Sequence, residues 1–297
     1  MTAARLTAAL LVAASAAQAQ DCRPPKTSNE AKLLAFYSVP IVFSAQLLST
    51  PDSPGRLALG ADVAYVPTPD PALRVTSECF IPKDHRTQLS SFFPRPRVMA
   101  VLPFGFVAEA SYLPPVRFAS AKGHVFSAAV SRLGLSIPVG GEPVVLVSRL
   151  HGTVGAVQGA ITCSRAALRP DDPADPCFGT RPSEDTFHPN MLGLEGVLGR
   201  RFHRGEIYLG GGTTWLRPRF RVGFRDGFGG LDDTRIVVDL RRASAFGGGS
   251  LRIATRWSVT GQVYTSFSDA TTGRVGVAWE GAGKRAVRRS LLDAREP

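Results

Sequence analysis

From Leu251 to Phe267 the chain alternates with a period of two. The odd positions read Leu251, Ile253, Thr255, Trp257, Val259, Gly261, Val263, Thr265 and Phe267, and the even ones Arg252, Ala254, Arg256, Ser258, Thr260, Gln262, Tyr264 and Ser266. That period belongs to a β-strand with one apolar and one polar face. Nine further segments read the same way, near 36–48, 56–66, 97–113, 123–138, 143–162, 188–202, 206–224, 235–246 and 273–280. Helical periodicity is nearly absent. Each segment has, or nearly has, the roughly 9 to 11 residues that a tilted strand needs to cross a bilayer.

The connections carry a second pattern. From the third segment onward they alternate: 114–122 medium, 140–142 ("GGE") tight, 163–187 long, 203–206 ("HRGE") tight, 225–234 long, 247–250 ("GGGS") tight. Short turns at one end and longer loops at the other are what outer-membrane barrels show. The rhythm puts the long loops outside and both termini in the periplasm. Residues 67–96 break it, being a long, Pro-rich connection where a short periplasmic one is expected; an extra hairpin there would make twelve strands.

The ends of the chain add a compartment. Residues 1–19 carry one basic residue, Arg5, an apolar run from Leu6 to Ala17 and the small-x-small triplet Ala17-Gln18-Ala19, which reads as a cleavable secretory signal. Residues 20–35 follow as a periplasmic N-terminal segment, 36–280 as the barrel, and 281–297 as a basic tail. Export suits the four cysteines. Cys163 and Cys177 flank the loop "SRAALRPDDPADP" and are the favoured pair; closing a loop of that size is worth about 3 kcal/mol in the chain-entropy view. Cys22 with Cys79 follows by exclusion.

A net charge of +11 would suggest nucleic acid in a cytosolic protein. With export it points instead to anionic lipid, lipopolysaccharide or a small anionic solute. No apolar run of about 18 residues follows the signal, which leaves the closed barrel as the way to span a membrane. The pattern resembles bacterial outer-membrane β-barrel proteins of the small, eight-to-twelve-strand kind, with no family-specific motif. The resemblance implies an all-β, antiparallel transmembrane barrel in the outer membrane, with short periplasmic turns and longer extracellular loops. The soluble alternative is a secreted barrel or sandwich, which would turn Phe220, Val222, Phe224, Ile236, Val238, Leu240, Trp257 and Val259 toward water.

With apolar faces toward lipid, polar faces line the lumen. Matching those faces pairs Phe220 with Leu240, Val222 with Val238, Phe224 with Ile236 and Leu240 with Trp257. Arg219, Arg221, Asp239, Arg241 and Arg256 then form a lumen cluster, with three arginines in one row. Asp62, Glu109, Arg132, Arg149, His151, Glu195 and Arg252 also face inward. Like charges directly opposed destabilise a sheet, so the row needs neutralising. Either the carboxylates do so as a salt-bridge plug, giving a structural role, or a bound anion does, giving a narrow channel or transport role. A parity change between Ile207 and Leu216 predicts a β-bulge at "GGGTTW".

An enzymatic reading rests on His124, His188, Asp232 and Asp233, which fall at extracellular strand ends and offer material for a rim acid-histidine site of a protease or lipid A-modifying hydrolase. No GxSxG, SxxK, HExxH or nucleotide motif accompanies them. No catalytic residue is assigned, and neither a metal site nor a cofactor is expected.

Overall fold

The structure is a computed structural model and describes residues 21–46, 55–75, 78–79, 90–118, 120–139 and 142–281. The signal segment, most of the tail and part of the "GGE" turn lie outside these residues.

Ten antiparallel strands close into a barrel: β1 (Leu57–Tyr65), β2 (Phe92–Val101), β3 (Phe106–Leu113), β4 (Ala121–Ile137), β5 (Val144–Gly159), β6 (Met191–Phe202), β7 (Gly205–Leu216), β8 (Leu240–Ala254), β9 (Trp257–Ser266) and β10 (Ala270–Glu280). Each pairs with its sequence neighbour, and β10 returns to β1 in register from Arg274 opposite Ala64 to Glu280 opposite Ala58. Closure leaves neither β1 nor β10 as a free sheet edge.

The count of ten agrees with the sequence reading, but two of its members do not. Residues 97–113 form two strands joined by a tight turn at Pro103–Gly105, where Phe104 takes a left-handed backbone at φ 60°. Of the expected strand 36–48, the described residues 36–46 form no strand. Ser28 caps the helix α1 (Asn29–Ser38) by accepting from the Ala31 N–H at 3.1 Å. A 3-10 turn at Val39–Ile41 follows, with Pro40 at its start, and then an irregular run to Gln46. The segment from Ser38 to Gln46 is buried throughout.

Removing that false strand repairs the loop rhythm. Tight connections at 102–105, 138–143, 203–204 and 255–256 share one end of the barrel, and 66–91, 114–120, 160–190 and 217–239 share the other, together with one short turn at 267–269. Residues 66–91 are long because they belong with the long loops. The same phase corrects the placement of the N-terminal segment. Asp21 and Cys22 pair in parallel with Arg235 and Ile236 at the long-loop end, so the chain enters the barrel there and runs down to β1. Of the two ends of the described chain, only the C-terminal one, at the close of β10, lies at the tight-turn end.

At the long-loop end the wall continues as a dome. Asp185–His188 pairs with the top of β5 and with Arg219–Arg221, which in turn pairs with Arg235–Val237. Phe187, Phe220, Val222, Phe224, Ile236 and Val238 point inward onto Leu34 and Ile41 of the N-terminal segment, as one hydrophobic core. Both disulfides stand at this end: Cys163–Cys177 ties the 160–190 loop, and Cys22–Cys79 ties the N-terminal segment to the 66–91 loop.

The expected bulge is absent. β7 keeps continuous register with β6 and β8 from Gly205 to Leu216. Its inward parity stays even, while the surroundings change. Low in the barrel, Ile207 and Leu209 face outward and are exposed; at the dome, Leu216 faces inward and is buried. "GGGS" is likewise no turn, since Gly247 to Ser250 sit inside β8 and the reversal comes at Thr255-Arg256.

Candidate functional site in the barrel lumen

The lumen is crossed by a chain of alternating charges on neighbouring walls. Asp62 on β1 accepts from Arg95 (Nη2, 3.1 Å) and from Arg97 Nε, both on β2. Arg97 Nη1 reaches Glu109 on β3 at 3.2 Å, and Glu109 accepts from Arg149 Nε on β5 at 3.1 Å. Arg149 Nη1 donates to Glu195 on β6 at 2.9 Å. The small inward residues Ala129 and Ser131 on β4 leave room for Arg149 to reach β3. Asp62, Arg95, Arg149 and Glu195 are each 1 to 2 % exposed. Charges at that depth must be paired, and here each bridges at least one opposite group.

These four arginines, counting Arg274 on β10, face three carboxylates. What completes their coordination is the N-terminal segment. Arg95 donates to the carbonyls of Ile41 (3.3 Å) and Val42 (3.1 Å), and Arg97 to that of Ser44 (2.9 Å). Arg149 donates to Phe43 O and Arg274 to Val39 O (3.2 Å) and the Ser44 hydroxyl. Ala45 O accepts from Gln262 Nε2 and from the Tyr208 hydroxyl, the latter at 3.3 Å. Residues 42–46 have no strand partner, so these side chains stand in for the ladder that buried backbone requires. The Val39 and Ile41 carbonyls are also the negative end of α1 and its 3-10 extension, where cations are favoured. Phe43 is the centrepiece: the Arg95, Arg97 and Arg149 guanidiniums lie 5.1, 4.3 and 5.2 Å from its ring centroid.

His151, fully buried beside this network, has Nε2 3.3 Å from Glu195 Oε1. Gly193 makes that position possible, since a Cβ there would fall 2.2 Å from His151 Nε2.

Of the expected lumen charges, Asp62, Glu109, Arg149 and Glu195 line the lumen. Arg132 and Arg252 are exposed at the tight-turn end, Arg132 lying 5.3 Å from the Phe106 ring. The expected cluster of Arg219, Arg221, Asp239, Arg241 and Arg256 does not exist. Phe220 stands opposite Ile236, Leu240 opposite Leu216, and Trp257 opposite Ala254 and Trp279. In that register Arg219 and Arg221 project outward from the dome. Arg221 pairs with Asp233, which also takes Arg235 at 3.3 Å. Asp239 pairs with Arg217 at 2.8 Å in the open. Arg241 donates to Thr213 Oγ1 at 3.0 Å and lies 5.6 Å from the Trp215 ring on the outer wall, and Arg256 sits in the turn at the opposite end. The physical reason is the change of surroundings: inside the dome is apolar, so arginine faces out.

Replacing Arg241 by Ala is therefore expected to change stability by no more than about 0.5 kcal/mol, the scale of an exposed surface site. A thermal unfolding comparison checks this, and a loss several times larger would restore a lumen position for Arg241.

Three further lumen arginines, Arg95, Arg97 and Arg274, carry a signal in the sequence. Arg274 alternates with Val275 and Val277, and Arg95 and Arg97 share one parity in "FFPRPRV". A strand starting at 97 separates Arg97 from Arg95; the strand in fact begins at Phe92.

The four rim residues are engaged separately. His124 meets Tyr112 edge-on at 5.7 Å on the outer wall, and His188 Nδ1 lies 2.9 Å from Gly155 O. Asp232 accepts from Thr234, and Asp233 from its two arginines. The Arg221 hydrogen bond holds the Asp233 carboxyl below the ordinary aspartate range. Its stabilisation is thus present above the unfolded-state value and lost as pH falls through the depressed one. More consequential in the same region is Asp185, buried and unanticipated, which accepts from the N–H groups of Ile161 (2.7 Å), Thr162 (2.6 Å) and Gly223 (3.0 Å) and from Ser183 Oγ (2.7 Å). It fastens the 160–190 and 217–239 loops to each other.

No protein-family model and no curated protein matches the sequence. Among solved structures, the chain is similar to the outer membrane protease OmpT from Escherichia coli (11 % identity, 80 % of this chain and 100 % of that one, TM-score 0.36). It is also similar to the translocator domain of the autotransporter NalP from Neisseria meningitidis (10 % identity, 84 % and 96 %, TM-score 0.35), and to Ail, the attachment invasion locus protein of Yersinia pestis (7 % identity, 77 % and 99 %, TM-score 0.31). All three are outer-membrane barrels, but overlaps at this level carry no argument for this chain, whose barrel rests on its own strand pairings.

Proposed function

We propose that the protein is an integral outer-membrane barrel whose lumen is closed by its own N-terminal segment, with a structural or ligand-holding role and no open anion path. The observation that carries this reading is the engagement of Arg95, Arg97, Arg149 and Arg274 by carboxylates and by the carbonyls of residues 39–44. An anion arriving in the lumen meets guanidiniums that already have partners. The outward belt supports the membrane half: Val130, Leu150 and Leu194 stand side by side on three strands, each about half exposed. At the dome, outward-facing Arg219, Arg221, Arg235 and Arg241 suit the anionic head groups of lipopolysaccharide.

Intact protein in planar bilayers is expected to be electrically silent, and steady anion-selective steps would return the channel reading. The membrane half has its own test. Leu194→Arg is expected to cost about 2 to 4 kcal/mol of folding stability in liposomes if this row lies near the bilayer midplane. In a water-facing wall the same change would be close to neutral.

A further inference from the structure

Between the N-terminal segment and the dome, an apolar space remains unfilled. It is a cavity of about 120 Å3 bounded by Leu34 and Ile41 on the inner side and by Phe93, Ala121, Phe187 and Ile236 on the wall. Polar groups at its margin have partners of their own: Glu30 Oε1 accepts from the N–H groups of Glu78 and Cys79, the Thr162 hydroxyl meets Asp185, and Ser90 Oγ donates to Phe92 O. Nearly all of the surface that the lining turns to this space is apolar, so a guest finds chiefly hydrocarbon contact. Apolar cavities of roughly this size, on the order of 150 Å3, stay dry and accept a benzene-sized group.

Beside this cavity the barrel's ladder is incomplete. β2 pairs with β1 along its length, from Phe92 opposite Tyr65 to Ala100 opposite Leu57. Its ladder with β3 covers only Val98 to Val101, although β3 continues to Leu113 paired with β4. The unpaired stretch of β2 holds Pro94 and Pro96, facing outward with Phe92. In lipid an unpaired backbone N–H costs several kcal/mol, which is why open seams are avoided there. Two prolines on that stretch remove two donors outright, so the seam is tolerated where an ordinary sequence would have to close it. Phe92 and Phe93 stand on this stretch of β2 and line the cavity, and Ala121 lines it from the start of β4, across the end of β3.

Resting on the membrane-barrel reading above, we propose that this cavity holds the end of a saturated hydrocarbon chain, which enters from the bilayer through the β2–β3 seam. The chain comes either from a membrane lipid or from a free single-chain amphiphile. The N-terminal segment is then the inner wall of the site as well as the plug of the lumen.

The test uses the full-length protein in phospholipid nanodiscs, with and without dodecanoate, followed by native mass spectrometry. Heat-modifiable migration of the wild type first checks the barrel itself, so a failure there is a failure of the membrane reading and is separate from the site. For a folded barrel, one retained molecule is expected. Dodecanoate retained only when added identifies the free amphiphile as the source, and a phospholipid retained without it identifies the membrane. Ala121→Trp, which fills the cavity, is expected to lower retention at least tenfold, and Ser90→Phe does the same from another side should the first variant fail to fold. Pro94→Ala with Pro96→Ala is expected to slow dodecanoate exchange at least tenfold while leaving equilibrium retention unchanged. Equal retention in the wild type and a folded cavity-filling variant, or no retention in the wild type, overturns the proposal.

Discussion

Deletion of residues 21–46 is expected to convert a silent barrel into an anion-conducting one. The segment supplies the carbonyls of Val39, Ile41, Val42, Phe43 and Ser44 to the lumen arginines and sets the Phe43 ring among three of them. Without it, Arg95, Arg97, Arg149 and Arg274 face Asp62, Glu109 and Glu195 alone, leaving one positive charge in excess along a water-filled path. Arginine-lined constrictions favour anions, and single-channel recording is expected to show steady anion-selective steps. Reduction of Cys22–Cys79 in the intact protein removes only the tether at the outer end, so the barrel is expected to stay silent. A deletion variant that keeps heat-modifiable migration yet never conducts would mean that the wall closes the lumen by itself.

The second large effect is on stability. Arg149→Met takes the donors from Glu109 Oε1, Glu195 Oε2 and the Phe43 carbonyl at once. Breaking a buried ion pair by removing one partner costs about 3 to 5 kcal/mol, because the other charge is left behind. Glu109 keeps Arg97 at 3.2 Å, whereas Glu195 is left without an arginine, so adding Glu195→Gln is expected to regain a clear part of the loss. Denaturant unfolding in liposomes measures both. A cost under about 1 kcal/mol, the scale of exposed ion pairs, would show that the network is solvated and that the lumen is wetter than the contacts imply.

The architecture was legible because alternation and loop rhythm do not depend on knowing what lies on either side of the wall. The register was not, because matching apolar faces assumes one apolar solvent, lipid, along the whole strand. This chain has two. Below the dome the apolar face looks out, toward lipid on the proposed membrane reading, as at Leu209 and Val259; within it the apolar face looks in at α1, as at Leu216, Phe220 and Leu240. A strand that crosses the boundary keeps its geometry and changes its sequence parity, which reads as a bulge at "GGGTTW" and turns Arg219, Arg221 and Arg241 the wrong way.

Two smaller differences have local causes. α1 is packed on nearly every side, so "AKLLAFYS" shows no polar stripe to betray a helix, and with Val39 to Ala45 behind it the run passes for a buried strand. At "GGGS" glycine serves close approach: a Cβ on Gly248 would lie 2.3 Å from Gly261 O and 2.8 Å from the Tyr208 hydroxyl. Space for Tyr208 under Ala45 is what that position supplies. The charges that form the lumen network were legible singly, as inward polar residues. Their true partner, the backbone of a segment counted as wall, was not.

Residues 39–46 lie inside the barrel, against β9 and β10. Ser44 Oγ lies 2.6 Å from Gln262 Oε1, so a Ser44→Cys, Gln262→Cys pair in the membrane-inserted protein tests it directly. Peptide mapping after mild oxidation is expected to find these two cysteines joined in nearly all folded molecules, with Cys22–Cys79 and Cys163–Cys177 unchanged. A folded, heat-modifiable barrel in which the pair stays reduced and open to a membrane-impermeant thiol reagent would contradict the account.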